Sequence, residues 1–197
     1  LVGAVSMSTD ENLTLYAAAY DAEDNYVSDV AATWAVTGTL DNALSPGTGT
    51  STIFSPSTSS TSGTITATFG AATPGETGTI DVSGGEVATI RLRTAADNGG
   101  VVYSDITMTT DSSITLYAAG YDAEDNYLHD VTATWSNTGN LLPAVSGTGT
   151  SYLFEPTTAG RSGLIQADSA SVTGTTGTVI INPGSVDYVV IRDASNN

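Results

Sequence analysis

Apolar and polar residues alternate over short stretches of this chain, and the alternation keeps restarting. Residues 114–121 place Ile114, Leu116 and Ala118 on one side of an extended chain. Residues 131–136 carry Trp135 in the same period, and 87–93 and 185–193 read alike, the latter through Val186, Val189 and Ile191. A period of two predicts strands with one buried face. Further strand-like runs at 101–108, 151–154, 163–167 and 177–181 are separated by Gly, Asn, Asp and Pro. No stretch holds a 3.6-residue period over a dozen residues, so no long helix is expected. Short strands separated by turn residues predict an all-β fold of sandwich type.

The pattern restarts because the chain repeats itself. Residues 14–38 and 115–139 are identical at about three quarters of their positions. The likeness continues through Gly47–Ser51 and Gly147–Ser151, Phe54 and Phe154, and Thr77–Ile80 and Thr176–Val179. It also pairs 88–95 with 187–194. Turn residues at Gly84-Gly85 and Pro183-Gly184 mark the joints. The expected division is a first repeat over 1–83 that lacks its first strand, a second repeat over 84–184, and a segment 185–197 that is the first strand of a following repeat. The chain thus reads as a phase-shifted cut of a longer array. Its continuation is expected to be covalent, or to come from strand donation between subunits.

Composition narrows the chemistry. The 197 residues carry 21 Asp and Glu against 4 basic residues, for a net charge of -17. The four basic residues are Arg91, Arg93, Arg161 and Arg192, and there is no lysine. Lysine-based catalysis is thereby excluded, and nucleic acid is a poor partner because phosphate binding needs clustered basic residues. Without cysteine there are no disulfides, thiol nucleophiles or thiolate metal sites. No apolar run approaches the roughly 20 residues of a membrane span. The acidic surface is expected to keep repeating units from clumping.

The dense polar clusters are two copies of one turn. Asp21, Glu23, Asp24 and Asn25 recur as Asp122, Glu124, Asp125 and Asn126. Their oxygens suit Ca²⁺, although neither copy follows the EF-hand pattern; Asx turns in a hairpin explain the same residues. No other cofactor is implied. A paired-carboxylate active site would not need duplication, and a Ser-His-Asp site would rest on His129, whose counterpart is Ser28. No catalytic residue is assigned, and no enzyme activity is expected. Trp34 and Trp135 are read as core anchors between sheets. Tyr16 and Tyr20, four residues apart and so on one face of a strand of period two, are expected to pack. Asn12-Leu13-Thr14 is an N-glycosylation sequon.

The run Tyr20-Asp21-Ala22-Glu23-Asp24-Asn25-Tyr26 leading to Val30 and Trp34 resembles bacterial immunoglobulin-like domains of the invasin/intimin type. That family has a D-x-x-G-N hairpin followed by a V-x-V-x-W strand, and both repeats match over nearly their whole length. Asp24 and Asp125 stand where the family usually has Gly, which implies a wider loop or a metal in place of a tight turn. The resemblance implies two immunoglobulin-like sandwiches end to end and a mechanical role: rigid spacers that hold a tip away from a cell.

Together these readings predict a structural, extracellular or cell-surface repeat module. It would form a stalk or a self-assembling filament, with neighbouring copies of itself as partners. The alternative is a carbohydrate-binding or adhesive accessory module of a secreted protein, which would need exposed aromatics on one face.

Overall fold

The computed structural model describes residues 1–192. It divides into two compact units, Leu1–Ala88 with Tyr121–Leu128, and Thr89–Gly120 with the chain from His129 onward. Every regular element among the described residues is a strand.

The first unit begins with β1 (Val5–Ser8), β2 (Leu13–Tyr16), β3 (Ala18–Tyr20) and β4 (Tyr26–Asp29). Then come β5 (Ala32–Val36), β6 (Leu44–Ser45), β7 (Thr48–Gly49) and β8 (Ser51–Phe54). It closes with β9 (Thr61–Gly63), β10 (Ile65–Thr68), β11 (Gly75–Glu76) and β12 (Ile80–Ser83). β1 lies parallel to β12, pairing Val5 with Ile80, and β9 adds to the other edge of β12. The order β11-β10-β5-β7 makes a four-stranded sheet; β2-β8-β6 and β3-β4 complete the set. Alternation works as the sequence predicts: β5 buries Ala32 and Trp34, β8 Thr52 and Phe54, β12 Ile80 and Val82. All of these but Thr52 join Met7, Leu15, Leu40 and Ile65 in one core.

The second unit repeats the plan. Its strands are β13 (Thr89–Arg93), β14 (Ile106–Thr109), β15 (Ile114–Tyr121), β16 (Tyr127–Asp130), β17 (Ala133–Asn137) and β18 (Gly147–Gly149), of which Tyr121 in β15 and Tyr127 and Leu128 in β16 group with the first unit. They continue with β19 (Ser151–Phe154), β20 (Arg161–Gly163), β21 (Ile165–Ser169), β22 (Val172–Thr175) and β23 (Val179–Asn182). β14 runs parallel to β23, pairing Ile106 with Val179, the counterpart of the first unit's register. β18-β17-β21-β22 form one sheet, and β13 and β19 flank β15. Trp135, Phe154, Leu116, Leu141, Ile165 and Ile181 are fully buried between them. The turn after β17 needs glycine: Gly139 takes φ +74°, and a Cβ there would run into the Ser162 carbonyl. Gly38 repeats this against Ser62.

The units differ at one place. In the second, β13 runs beside β15 and packs on β22, burying Ile90 and Leu92. The first unit has no such strand among the described residues. Its β3 and β11 are short fragments where β15 and β22 run for eight and four residues. The strand expected over 185–193 is not formed over the described part, 185–192. A strand needs an edge to pair with, and this segment is exposed, with Val189 86% and Ile191 98% accessible. Residues 193–197 of that expectation lie outside the described residues.

Candidate functional site

The vacant strand position leaves an open groove of about 590 Å³ in the first unit. Leu15, Ala17, Trp34, Ile65 and Ala67 lie along it, with Tyr16 and Tyr20 at the rim. The two tyrosines do not pack as expected: they are 73% and 60% exposed, because the strand that would cover this face is missing. Their counterparts Tyr117 and Tyr121 are half-buried and buried.

Two glycines measure the vacancy. Gly174 in β22 lies so close to β13 that a Cβ on it would stand 2.6 Å from both Ile90 Cγ2 and the Ile90 carbonyl oxygen. Its counterpart Gly75 in β11 has nothing within 4 Å of a Cβ. The same sequence position is crowded when the strand is present and open when it is not.

The D-A-E-D-N turns adopt one conformation in two surroundings. In the first copy, Asp21 Oδ1 accepts from the amides of Glu23 and Asn25 at 3.1 and 2.8 Å. The Asn25 side-chain amide donates to both Asp21 oxygens. These bonds, led by the Asn25 amide, hold the Asp21 carboxyl below its ordinary pKa. Asp24 and Asp125 take φ 65° and 72°. They adopt the left-handed conformation that glycine would, so the turn is tight and not widened. Asp24→Gly is expected to be close to neutral in urea melts, whereas Asp24→Val should cost about 1–2 kcal/mol.

In the second copy, which belongs to the first compact unit, Asp122 is only 2% exposed. Asp122 Oδ2 accepts from the Thr9 hydroxyl at 2.9 Å and from the Gly85 amide at 3.3 Å. Asp122 Oδ1 accepts from the Asn126 amide at 2.7 Å. Asn126 also donates to the Ser57 carbonyl and accepts from the Ser59 amide. Burial is the largest influence on the Asp122 carboxyl and pushes its pKa up, but the bonds from Asn126, Thr9 and Gly85 together outweigh it and leave the pKa lowered. The sequence assigns 121–128 to the second repeat; these bonds are why the turn is part of the first unit.

Glu23, Glu124, Asp24 and Asp125 point to solvent. Among the described residues no group of three or more His, Asp or Glu is placed to hold a metal ion. Melting in Ca²⁺ and in EDTA is expected to coincide; a transition raised by Ca²⁺ would instead place a cation in these turns. Asn12 is exposed just ahead of β2, and His129 is exposed on β16. Trp34 and Trp135 are buried, and their indole N–H groups donate to the Gly49 and Gly149 carbonyls at 3.0 and 2.9 Å. Sequence reasoning missed Tyr103, whose hydroxyl donates to the Thr115 carbonyl at 3.0 Å; nothing in its local pattern marks it.

No protein-family model and no curated protein matches the chain. Its likenesses are to solved structures of immunoglobulin-like and fibronectin-III-like domains. The D00-D0 domain of intimin matches with TM-score 0.42 at 13% identity, covering 90% of this chain and 95% of that one. Extracellular domains 3–5 of Drosophila OTK match with TM-score 0.41 at 10% identity, over 92% of this chain and 62% of that one. Fibronectin(III)-like modules of Clostridium thermocellum CbhA match with TM-score 0.30 at 10% identity, over 97% and 96%. The architecture itself rests on the strand orders above: an all-β chain of two immunoglobulin-like sandwich units.

Proposed function

We propose that this chain is a structural, non-catalytic repeat module of an extracellular surface or filament protein, and that residues 185–192 of one copy fill the open groove of the next. The contrast between Gly174 and Gly75 carries this reading. The segment 185–192 matches 86–93 in sequence and leaves its unit through the same turn. The Ser185 amide donates to Asp111 Oδ2 at 2.6 Å, as the Glu86 amide does to Asp10 Oδ2 at 2.8 Å. Val189 and Ile191 stand where Ile90 and Leu92 stand in the repeat, and burying those two side chains would contribute about 1.5–3 kcal/mol each. Adding a strand to an open sheet also satisfies the edge that would otherwise invite disordered association. The charge of -17 favours an extended, soluble array.

Electron microscopy and sedimentation of the full chain test this, beside a chain ending at Gly184. The full chain is expected to form end-to-end assemblies and the shortened one to stay monomeric. Monomers in both cases would overturn strand donation between copies.

One observation favours a second reading, an accessory module that binds glycans. Tyr16, Tyr20 and Tyr26 are more than half exposed, and Tyr20 and Tyr26 meet edge to face at 5.9 Å. Retention on insoluble polysaccharide, lost in Tyr20→Ala, would support it; no retention on any glycan would remove it.

A further inference from the structure

The turn that Asp122 and Asn126 build inside the first unit has a bare twin. Every residue that makes the buried contacts is present in the exposed copy, and so is every group it would contact. Thr9 corresponds to Thr110, Gly85 to Gly184, and Ser57 and Ser59 to Thr157 and Ala159. The last two contribute backbone groups only, so the changes of side chain leave the donor and acceptor in place. The twin surface is also apolar. Tyr26 and Val27 are 57% and 61% exposed, whereas their counterparts Tyr127 and Leu128 are half-buried.

We infer that the Asp21–Asn25 turn, with Tyr20, Tyr26 and Val27, is a docking face for the Thr110/Pro183-Gly184 end of a second copy of this chain. This deepens the strand-donation reading and rests on it. Asp21 accepts from the Thr110 hydroxyl and the Gly184 amide. Asn25 bonds to the backbone of Thr157 and Ala159. The Asp187 amide donates to the Tyr20 carbonyl, as Ala88 does to Tyr121 at 2.8 Å, and this bond sets the register in which Val189 and Ile191 enter the groove.

Two features of the sequence argue for a copy of this chain as the occupant. First, the two groups that Asp21 would engage lie side by side. Thr110 Oγ1 accepts from the Gly184 amide at 3.0 Å, and on docking that amide gives up this acceptor for Asp21, as the Gly85 amide donates to Asp122 Oδ2. Second, the sizes are complementary. Leu128 lies directly over Gly84, which has no side chain. In the twin, the smaller Val27 would face the bulkier Pro183. A shorter side chain on one face matches a larger one on the other, so the packed volume is kept.

The chain has no cysteine to complicate a test by sedimentation velocity over a concentration series. Four full-length proteins are compared: wild type, Asp21→Ala/Asn25→Ala, Thr110→Val and Ile191→Asp. Wild type is expected to assemble, and Ile191→Asp to remain monomeric because a charge cannot enter the groove. The Asp21→Ala/Asn25→Ala and Thr110→Val proteins, altered on opposite faces, should each need at least a tenfold higher concentration to assemble, with unchanged circular dichroism as monomers. If both assemble at the wild-type concentration while Ile191→Asp does not, the docking face is wrong and strand donation stands. If wild type does not assemble, or Ile191→Asp assembles as well as wild type, both readings fail.

Discussion

Gly174→Val is expected to destabilise the second unit by about 1–3 kcal/mol or more, whereas Gly75→Val should leave the fold intact and abolish end-to-end assembly. The first half follows from crowding: a Cβ at 174 would meet the Ile90 carbonyl oxygen and side chain, and β13 cannot retreat without leaving β15. Overpacking of this kind costs on that scale because interiors are already close-packed. The second half follows from emptiness. Nothing stands within 4 Å of a Cβ at 75, and valine favours a strand more than glycine does. A valine there would occupy the space into which Val189 of another copy must fit. Thermal melts followed by circular dichroism report the first effect, and sedimentation reports the second. If Gly75→Val assembled like wild type, a strand in the groove could not approach β11 as β13 approaches β22.

Much of this architecture is legible in the letters. A two-residue alternation of Ala32 with Trp34, or Ile80 with Val82, fixes which face of each strand turns inward, and the repetition of the whole pattern fixes two units of like topology. The turn glycines Gly38 and Gly139 are also legible, since they follow the tryptophan strand at the same distance in both copies. What the letters do not distinguish is the surroundings of identical segments. Asp21 and Asp122 sit in the same pentapeptide, yet one faces water and the other is enclosed. The difference comes from Thr9 and Gly85, more than thirty residues away from Asp122 along the chain. Tyr16 and Tyr20 mislead for the same reason. Their spacing is that of a packed face, but packing needs a neighbour, and β13 has no equivalent beside them. The left-handed Asp24 shows the converse: the letter is not glycine, yet the conformation is one that glycine adopts readily.

Asp122→Ala is expected to cost about 2–4 kcal/mol at neutral pH, far more than Asp21→Ala. The carboxylate is 2% exposed and accepts from the Thr9 hydroxyl and the amides of Gly85 and Asn126. Removing it leaves those donors without an acceptor in a place water does not readily reach, and each such loss carries a desolvation penalty. The bonds of Asp21 lie within an exposed turn, where water replaces the lost acceptor. The pH dependence gives an independent check. The Asp122 pKa is lowered in the folded chain, so the folded state favours the ionised form. Its contribution is fully present above the unfolded value of ~3.9. It is lost as the pH falls through that value and then through the lower folded one. The other depressed carboxyls, Asp21 and Asp111, and the general relief of negative repulsion in acid act on wild type and variant alike, and so cancel in their difference. The stability gap between wild type and Asp122→Ala, measured by urea denaturation from pH 7 to pH 3, should therefore be widest at neutrality and narrow below about pH 4. A gap that stays constant over that range would mean that the neutral acid holds Thr9 and Gly85 as well as the carboxylate does.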